Sequence, residues 1–202
     1  MFQGGMVRVF LDNNMWDYFA DNEVDINEYF PENEFDLAIT THGKYEILQI
    51  PEHRSNVKAY ALKALESVVK IDAVFGFYSD LFPEQYQRSS GFSKGRFADA
   101  LEGEVRSSLL KKFSSTEKRK ESQILFKEEA DIELAVRSKF HPVVTFDANK
   151  NGPLLDALNN GWKVIGLNLK ESRESSVRSF MDNLVELLNY QKHNNRSQSE
   201  RF

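Results

Sequence analysis

Two stretches of the sequence decide the fold: Met6-Val-Arg-Val-Phe-Leu11, followed by Asp12, and Pro142-Val-Val-Thr-Phe146, followed by Asp147. Both are short, apolar and rich in β-branched residues, a pattern typical of strands buried on both faces of a sheet. Similar runs occur at 34–39 and 162–167. We therefore predict four strands, two of which end next to an aspartate.

Helices are predicted between these strands, because apolar residues there recur with helical spacing. Residues 55–70 give the clearest pattern, whereas 71–82 fit neither a helix nor a strand well. A shorter helix carries Glu46, and the hydroxyl of Thr40 or Thr41 is placed to cap its start. Further helices contain Trp16 and Phe19, or cover 130–139, 154–158 and 174–190. Alternating strands and helices predict an α/β fold with a central parallel sheet covered on both faces.

The predicted domain organisation is one elaborated domain with a tail. Residues 6–168 form this domain, which contains a helical, basic insertion at about 80–126. Residues 169–190 hold a C-terminal helix with an apolar stripe. Residues 191–202 are polar, and we expect them to be disordered.

The insertion is basic although the whole chain has a formal charge of −5. From Arg88 to Lys120 there are nine Lys or Arg against four Asp or Glu. Residues 83–95 are predicted to be irregular, and 97–129 to be helical with a break near Ser114. A basic segment can guide a nucleic-acid backbone, and a solvated helical face is the alternative. The predicted nucleic-acid contacts are Lys94, Arg96, Lys111 and Lys112.

Composition excludes several classes of site. The chain has no cysteine, so it contains neither a disulfide, a thiolate metal site nor a cysteine nucleophile. No segment approaches the ~18 uncharged apolar residues of a membrane span, and residues 1–5 lack the pattern of a secretory signal. Met6 is an equally plausible start. We therefore expect no membrane association and a cytoplasmic location.

Four acidic residues are expected to share one site. Asp12 and Asp147 follow apolar strands, and ligand sites of α/β sheets lie beyond the carboxyl ends of the strands. Glu46 lies on the helix after the second strand, and Asp131 on the helix that leads to Asp147. Clustered carboxylates repel one another unless a cation is present. Mg²⁺ and Mn²⁺ prefer such oxygen ligands and promote phosphodiester hydrolysis.

The motifs that carry these acids resemble those of PIN domains. They are Val-Phe-Leu-Asp12-Asn-Asn-Met-Trp, Ile-Thr-Thr-His-Gly-Lys-Tyr-Glu46, Ala-Asp131-Ile-Glu-Leu-Ala and Val-Val-Thr145-Phe-Asp147-Ala-Asn. The resemblance covers roughly 6–50 and 127–168. It implies a three-layer α/β/α fold and an endoribonuclease that needs Mg²⁺ or Mn²⁺, with the four acids as metal ligands and catalytic residues. In many bacterial members it also implies a toxin held by a protein antitoxin.

The chain departs from this family at one point. Compact PIN toxins often carry a further acid shortly after the Thr-x-Asp motif, where this chain has Asn149 and Asn151. Asn149 offers a neutral oxygen in support of the metal site, and Glu128 or Glu133 are the acids that could compensate. The hydroxyl of Thr145 is expected to hold a carboxylate or a phosphate, although β-propensity alone also explains a threonine in a strand.

Two rival functions follow from the same residues. A catalytically silent PIN-like module would bind RNA or a protein partner without cutting. A metal-dependent phosphatase would use Asp12 as its nucleophile, but the usual second aspartate is replaced by Asn14. The sequence leaves open whether the chain forms a homodimer.

Overall fold

A parallel sheet lies at the centre of the computed structural model, which describes residues 6–74, 88, 95–97, 99–117 and 124–199. Its strands are β1 (Val7–Leu11), β2 (Phe35–Thr40), β3 (Lys70–Asp72), β4 (Val143–Thr145) and β5 (Val164–Gly166). They are ordered β3-β2-β1-β4-β5, and every neighbouring pair is parallel. The four predicted strands are present, and β3 is additional.

Helices connect the strands and pack on the sheet. They are α1 (Asn14–Asp21), α2 (Ile26–Tyr29), α3 (Thr41–Leu48), α4 (Ser55–Ser67), α5 (Ala100–Phe113), α6 (Glu129–Ser138), α7 (Pro153–Asn159), α8 (Leu169–Glu174) and α9 (Val177–Ser199). A 3₁₀ turn, Glu52–Arg54, leads into α4. Within the described ranges, none of these helices is long and apolar enough to cross a membrane. The predicted α/β fold with a central parallel sheet is confirmed.

Successive residues of β1 point to opposite faces of the sheet, as the two-residue period of a strand requires. Val9 and Leu11 belong to one apolar core, which α1, α4 and α9 also supply. Phe10 belongs to a second core with α5, α6 and α7. All three side chains are at most 2% exposed. Helices therefore cover both faces of the sheet, which gives three layers.

The strand β3 is missing from the sequence-based prediction, which extends a helix to residue 70. In the structure α4 ends at Ser67, and Ile71 of β3 pairs with Ile39 of β2. Ile71 is 39% exposed, because β3 forms the edge of the sheet. A three-residue edge strand has no continuous apolar run, so hydrophobic patterning does not reveal it.

The insertion contributes a helix to the second core. α5 begins after Asp99, whose side chain accepts a hydrogen bond from the amide of Glu102 at 2.7 Å. It ends at Phe113, near the predicted break at Ser114. The sequence also predicts a helix on the other side of the break, but the described residues 115–117 and 124–128 are not helical. Residues 118–123 and most of the predicted irregular segment at 83–95 lie outside the described residues.

Two helices, α8 and α9, occupy the C-terminal region, where the sequence predicts one helix over 169–190. The extended residue Ser175 separates them. α9 places Phe180 in the first core and is therefore part of the main domain. It also continues to Ser199, which corrects the disorder predicted from residue 191 to that point. Once nucleated, a helix gains one backbone hydrogen bond for each residue added, even without an apolar stripe.

Buried ion pairs join α5 and α6 to the end of β3. Arg137 donates from Nε to Asp72 at 2.8 Å and from Nη1 to Glu102 at 2.6 Å. Arg106 of α5 pairs with Glu133 of α6. All five side chains are at most 9% exposed. Burial alone would raise the pKa of Glu133, but the surrounding positive charges, that of Arg106 foremost, lower its pKa to about 2.

Arg137→Ala is expected to destabilise the fold by roughly 3–5 kcal/mol, because it removes a buried partner of Asp72 and Glu102. Urea unfolding at neutral pH measures this loss. Lys170→Ala is the matched control, since it removes a cation that is 80% exposed in its pair with Glu174. It should change stability by less than about 1 kcal/mol. Equal small effects of both variants would show that the buried ion pairs do not stabilise the fold.

Candidate active site

A cleft of about 290 Å³ lies beyond the carboxyl ends of β1 and β4. β1 is flanked by β2 and β4, so the order of the strands along the chain reverses there. This is the position at which open α/β sheets bind ligands. The four predicted acids all line the cleft: Asp12, Glu46, Asp131 and Asp147. The fold therefore brings carboxylates from distant parts of the chain to one place.

Asp12 directly follows β1 and is only 6% exposed. Its backbone amide donates to the carbonyl of Val144 at 3.0 Å, which places the residue beside β4. Its carboxylate accepts from the amide of Asn13 at 2.7 Å and from Nδ2 of Asn14 at 2.7 Å. It also accepts from the hydroxyl of Thr145 at 2.6 Å. Asp12 is thus fixed by groups from both strand ends.

Thr145 connects the two aspartates that follow β1 and β4. Its side chain is fully buried, and its Oγ1 donates to Asp12. The same oxygen accepts from the backbone amide of Asp147 at 2.9 Å and from Nδ2 of Asn14 at 3.1 Å. The structure therefore places Thr145 in contact with a carboxylate of the cleft, where the sequence predicts a supporting residue.

Asn13 and Asn14 organise the cleft, a role missing from the sequence-based prediction. Nδ2 of Asn13 donates to Oε2 of Glu46 at 2.5 Å and to the carbonyl of Gly43 at 3.0 Å. Oδ1 of Asn14 accepts from the amide of Phe146 at 3.2 Å. The only signal in the sequence is a pair of amides directly after a strand-end aspartate, which an ordinary turn explains equally well.

The remaining acids are more accessible than Asp12. Asp131 is half-buried in the first turn of α6. The side chain of Asp147 is 35% exposed, and its Oδ1 lies 2.7 Å from Nζ of Lys150. Lys150 is 74% exposed, so this ion pair is weak and another cation can replace the lysine. Of the four predicted acids, one is therefore buried and three are more accessible.

Burial and neighbouring charge raise the pKa of Asp12 from its ordinary value of 3.8 to about 6. Desolvation is the largest cause, and the carboxylates of Glu46 and Asp147 act in the same direction. Hydrogen bonds from Thr145 and Asn13 oppose the rise in pKa without cancelling it. The ionised form of Asp12 is thus disfavoured, and a nearby cation would restore it.

The donor set suits Mg²⁺ or Mn²⁺, because these ions prefer carboxylate and amide oxygens. In the part of the chain that the structure describes, no three acidic or histidine side chains are grouped so that they could hold one ion. Mg²⁺ keeps several waters and is often bound through only one or two carboxylates. The side chains therefore fit a partly hydrated ion. One or two of the predicted acids, Asp12, Glu46, Asp131 and Asp147, would hold such an ion, and water would complete its coordination.

The sequence offers Asn149, Glu128 and Glu133 as support for the metal site, and only Glu128 lines the cleft. Asn149 is exposed and lies outside the lining of the cleft. Glu133 is buried against Arg106, whereas Glu128 lines the cleft. The backbone of Glu128 is left-handed, with a φ of 65° that non-glycine residues rarely adopt. Glu128 is therefore better placed than Glu133 or Asn149 to supply a further oxygen ligand.

The predicted nucleic-acid contacts lie away from the cleft lining or outside the described residues. The sequence predicts four such contacts: Lys94, Arg96, Lys111 and Lys112. Lys94 is not among the described residues. Arg96 pairs with Glu102, and Lys112 pairs with Asp156. Lys111 is exposed on α5. Arg96 and Lys112 thus form ion pairs that connect α5 to its neighbours. RNA binding by this segment stays a prediction.

Asp12→Asn is expected to change how stability depends on pH. A group whose pKa is raised by folding stabilises the fold while it is protonated, and this contribution is lost as pH rises from 3.8 through about 6. Across this window the wild type should lose on the order of 3 kcal/mol relative to the variant, because one pKa unit corresponds to about 1.4 kcal/mol. Urea unfolding in chelator, between about pH 4 and pH 8, measures the difference.

Asp182→Asn is the control for this experiment, because the side chain of Asp182 is 62% exposed and lies on α9. Its stability difference from the wild type should stay nearly constant with pH. A constant difference for Asp12→Asn as well would show that Asp12 is not the buried, repelled carboxylate described above.

Comparisons with known proteins give no relative from which a function could be carried over. No family model, curated protein or solved structure matches this chain. The geometry of the cleft is therefore the basis on which a function can be proposed.

Proposed function

We propose that this chain is a divalent-metal-dependent endoribonuclease of the PIN type, which hydrolyses RNA phosphodiester bonds. The observation that carries this proposal is the meeting of four carboxylates at the reversal point of a parallel sheet, around a buried aspartate with a raised pKa. Such a cluster is electrostatically unfavourable alone and is stabilised by a divalent cation. The resemblance to PIN motifs supports RNA as the substrate.

The residues of the cleft have separate roles in the proposed reaction. Asp12, Asp131 and Asp147 would bind the ion directly or through its waters, while Thr145 holds Asp12 in a fixed orientation. Glu46 completes the ligand set or orients the attacking water, and Asn13 holds its carboxylate toward Asp12. The ion, when bound, lowers the pKa of water and offsets the charge that develops on the phosphate. The resemblance implies products with a 5′-phosphate and a 3′-hydroxyl.

A catalytically silent RNA- or protein-binding module is the second candidate. Two observations favour it: the carboxylate of Asp12 already accepts three hydrogen bonds, and no described group of three acids is arranged to hold one ion. In such a module Asn14 and Thr145 would satisfy Asp12 without a metal. This candidate predicts that RNA or a protein binds while Mn²⁺ does not.

The biological setting belongs to the same proposal. By resemblance to bacterial PIN toxins, we propose a cytoplasmic toxin whose activity a protein antitoxin inhibits. A homodimer is compatible with this role. An inhibitor would act most directly by placing a cation or a bulky side chain in the acidic cleft, since that is where an RNA phosphate must enter.

Asp12→Asn is expected to lower Mn²⁺-dependent cleavage of labelled RNA by at least about 100-fold. This is a lower bound, because losing even an outer partner of a metal ligand costs 10–100-fold. Panels of RNA and DNA with Mg²⁺, Mn²⁺ or chelator measure the substrate class and the metal requirement together. Asp182→Asn serves again as the control and should cut at the rate of the wild type.

The two candidate functions give different results in these assays. Cleavage by the wild type that persists in chelator, or that Asp12→Asn leaves undiminished, would rule out the proposed site. If the wild type cuts no RNA and calorimetry detects no Mn²⁺ binding, the silent module is the better description. Far-UV circular dichroism of each variant verifies that the fold is intact.

A further inference from the structure

Arg54 is the one basic side chain among the described residues that line the cleft. Six acidic side chains share that lining: Asp12, Asp17, Glu46, Glu128, Asp131 and Asp147. A polynucleotide is itself anionic, so its backbone would be repelled from such a surface even after one divalent ion had bound. A cation at this position would offset part of this repulsion.

The structure holds the guanidinium of Arg54 between two helices. Arg54 ends the 3₁₀ turn that follows Pro51, where its amide donates to the Pro51 carbonyl at 2.9 Å, and α4 begins at the next residue. Its Nη2 donates to Oδ1 of Asp17 on α1. Asp17 therefore lies on the helix that begins with Asn14, whose side chain hydrogen-bonds to the carboxylate of Asp12.

We propose that Arg54 binds a phosphate of the substrate backbone next to the bond that is cut, and that this phosphate replaces Asp17 as its partner. This inference rests on the proposed nuclease function and assigns a substrate-binding residue to it. The planar guanidinium can donate two parallel hydrogen bonds to phosphate oxygens. The side chains of Arg54 and Asp17 are 41% and 45% exposed, and ion pairs that are this exposed exchange partners at little cost.

A purely structural role for the same pair makes a different prediction. If Arg54 and Asp17 only join α1 to α4, removing either one should weaken the fold similarly and leave RNA affinity unchanged. If Arg54 binds phosphate, Asp17 competes with the substrate. Removing Asp17 should then strengthen RNA binding, whereas removing Arg54 should weaken it. The opposite signs separate the two roles.

The test measures binding of a fluorescein-labelled single-stranded RNA to the full chain in chelator, so that no cleavage occurs. Arg54→Ala is expected to weaken binding about tenfold at low salt and to reduce the slope of log affinity against log salt by about 0.7, the value for one contact to a single strand. Arg54→Lys keeps the charge and should retain the slope with a smaller loss of affinity. Asp17→Asn should tighten binding.

Arg178→Ala is the matched control, because it removes an arginine from an ion pair with Asp182 on α9, with a side chain that is 79% exposed. It should leave both affinity and slope unchanged. Urea unfolding of each variant separates a loss of binding from a loss of folded protein. If Arg54→Ala is unstable, the comparison of Arg54→Lys with Asp17→Asn still shows whether RNA affinity changes in opposite directions at the two positions.

Three results would overturn the assignment of Arg54: no RNA binding by the wild type, an unchanged affinity and slope for Arg54→Ala, or weaker binding by Asp17→Asn. Failure of the nuclease proposal looks different. In that case the wild type cuts no RNA with Mn²⁺, yet Arg54→Ala and Asp17→Asn still shift binding in opposite directions. Cleavage by the wild type together with an inert Arg54 would leave the nuclease standing without this phosphate contact.

Discussion

β1 pairs with β4 through only two residues on each strand, with Leu11 opposite Val144, and the amide of Asp12 continues this contact to the Val144 carbonyl. The relative position of Asp12 and Asp147 depends on this pairing, because Thr145 reaches Asp12 only while the two strand ends stay in register. Without it, a buried carboxylate would lose a short hydrogen bond and keep its desolvation cost. The sheet thus holds Asp12 in a desolvated position with fixed hydrogen bonds, unlike a carboxylate exposed to water.

The sequence suffices to predict the parallel sheet and the two strand-end aspartates, because these depend on local apolar runs and on the rule that such strands end at one edge. It does not predict β3, whose exposed residue Ile71 lacks an apolar pattern. It also misses Asn13, since the bond to Glu46 joins residues 33 positions apart and leaves no periodicity. The pairing of Arg96 is missed as well, because a basic residue in a sequence does not reveal that Glu102 already neutralises it.

α6 carries two sets of charges on different faces. Glu129, Glu133 and Arg137 recur every four residues and are buried in ion pairs. Glu129 pairs with Arg88, whereas Glu133 and Arg137 pair with Arg106 and Glu102 of α5. Asp131 lies roughly 200° around the helix from Glu129, at 3.6 residues per turn, and lines the cleft instead. The buried face therefore anchors the helix that presents Asp131, so the acid cannot easily move away from its negatively charged neighbours. Repulsion within the cleft is resisted by attraction on the other side of one helix.

α5 belongs to a stretch that looks like an addition to a compact domain, yet its Leu109 and Leu110 complete the core that covers Phe10. Arg106 of α5 also neutralises Glu133. Excising 75–123 to obtain a minimal domain would therefore remove α5 from the core that it shares with α6 and α7, and would leave Glu133 without its main counterion. α5 is thus an integral part of the folded core, and its removal would cost both apolar contacts and a buried ion pair.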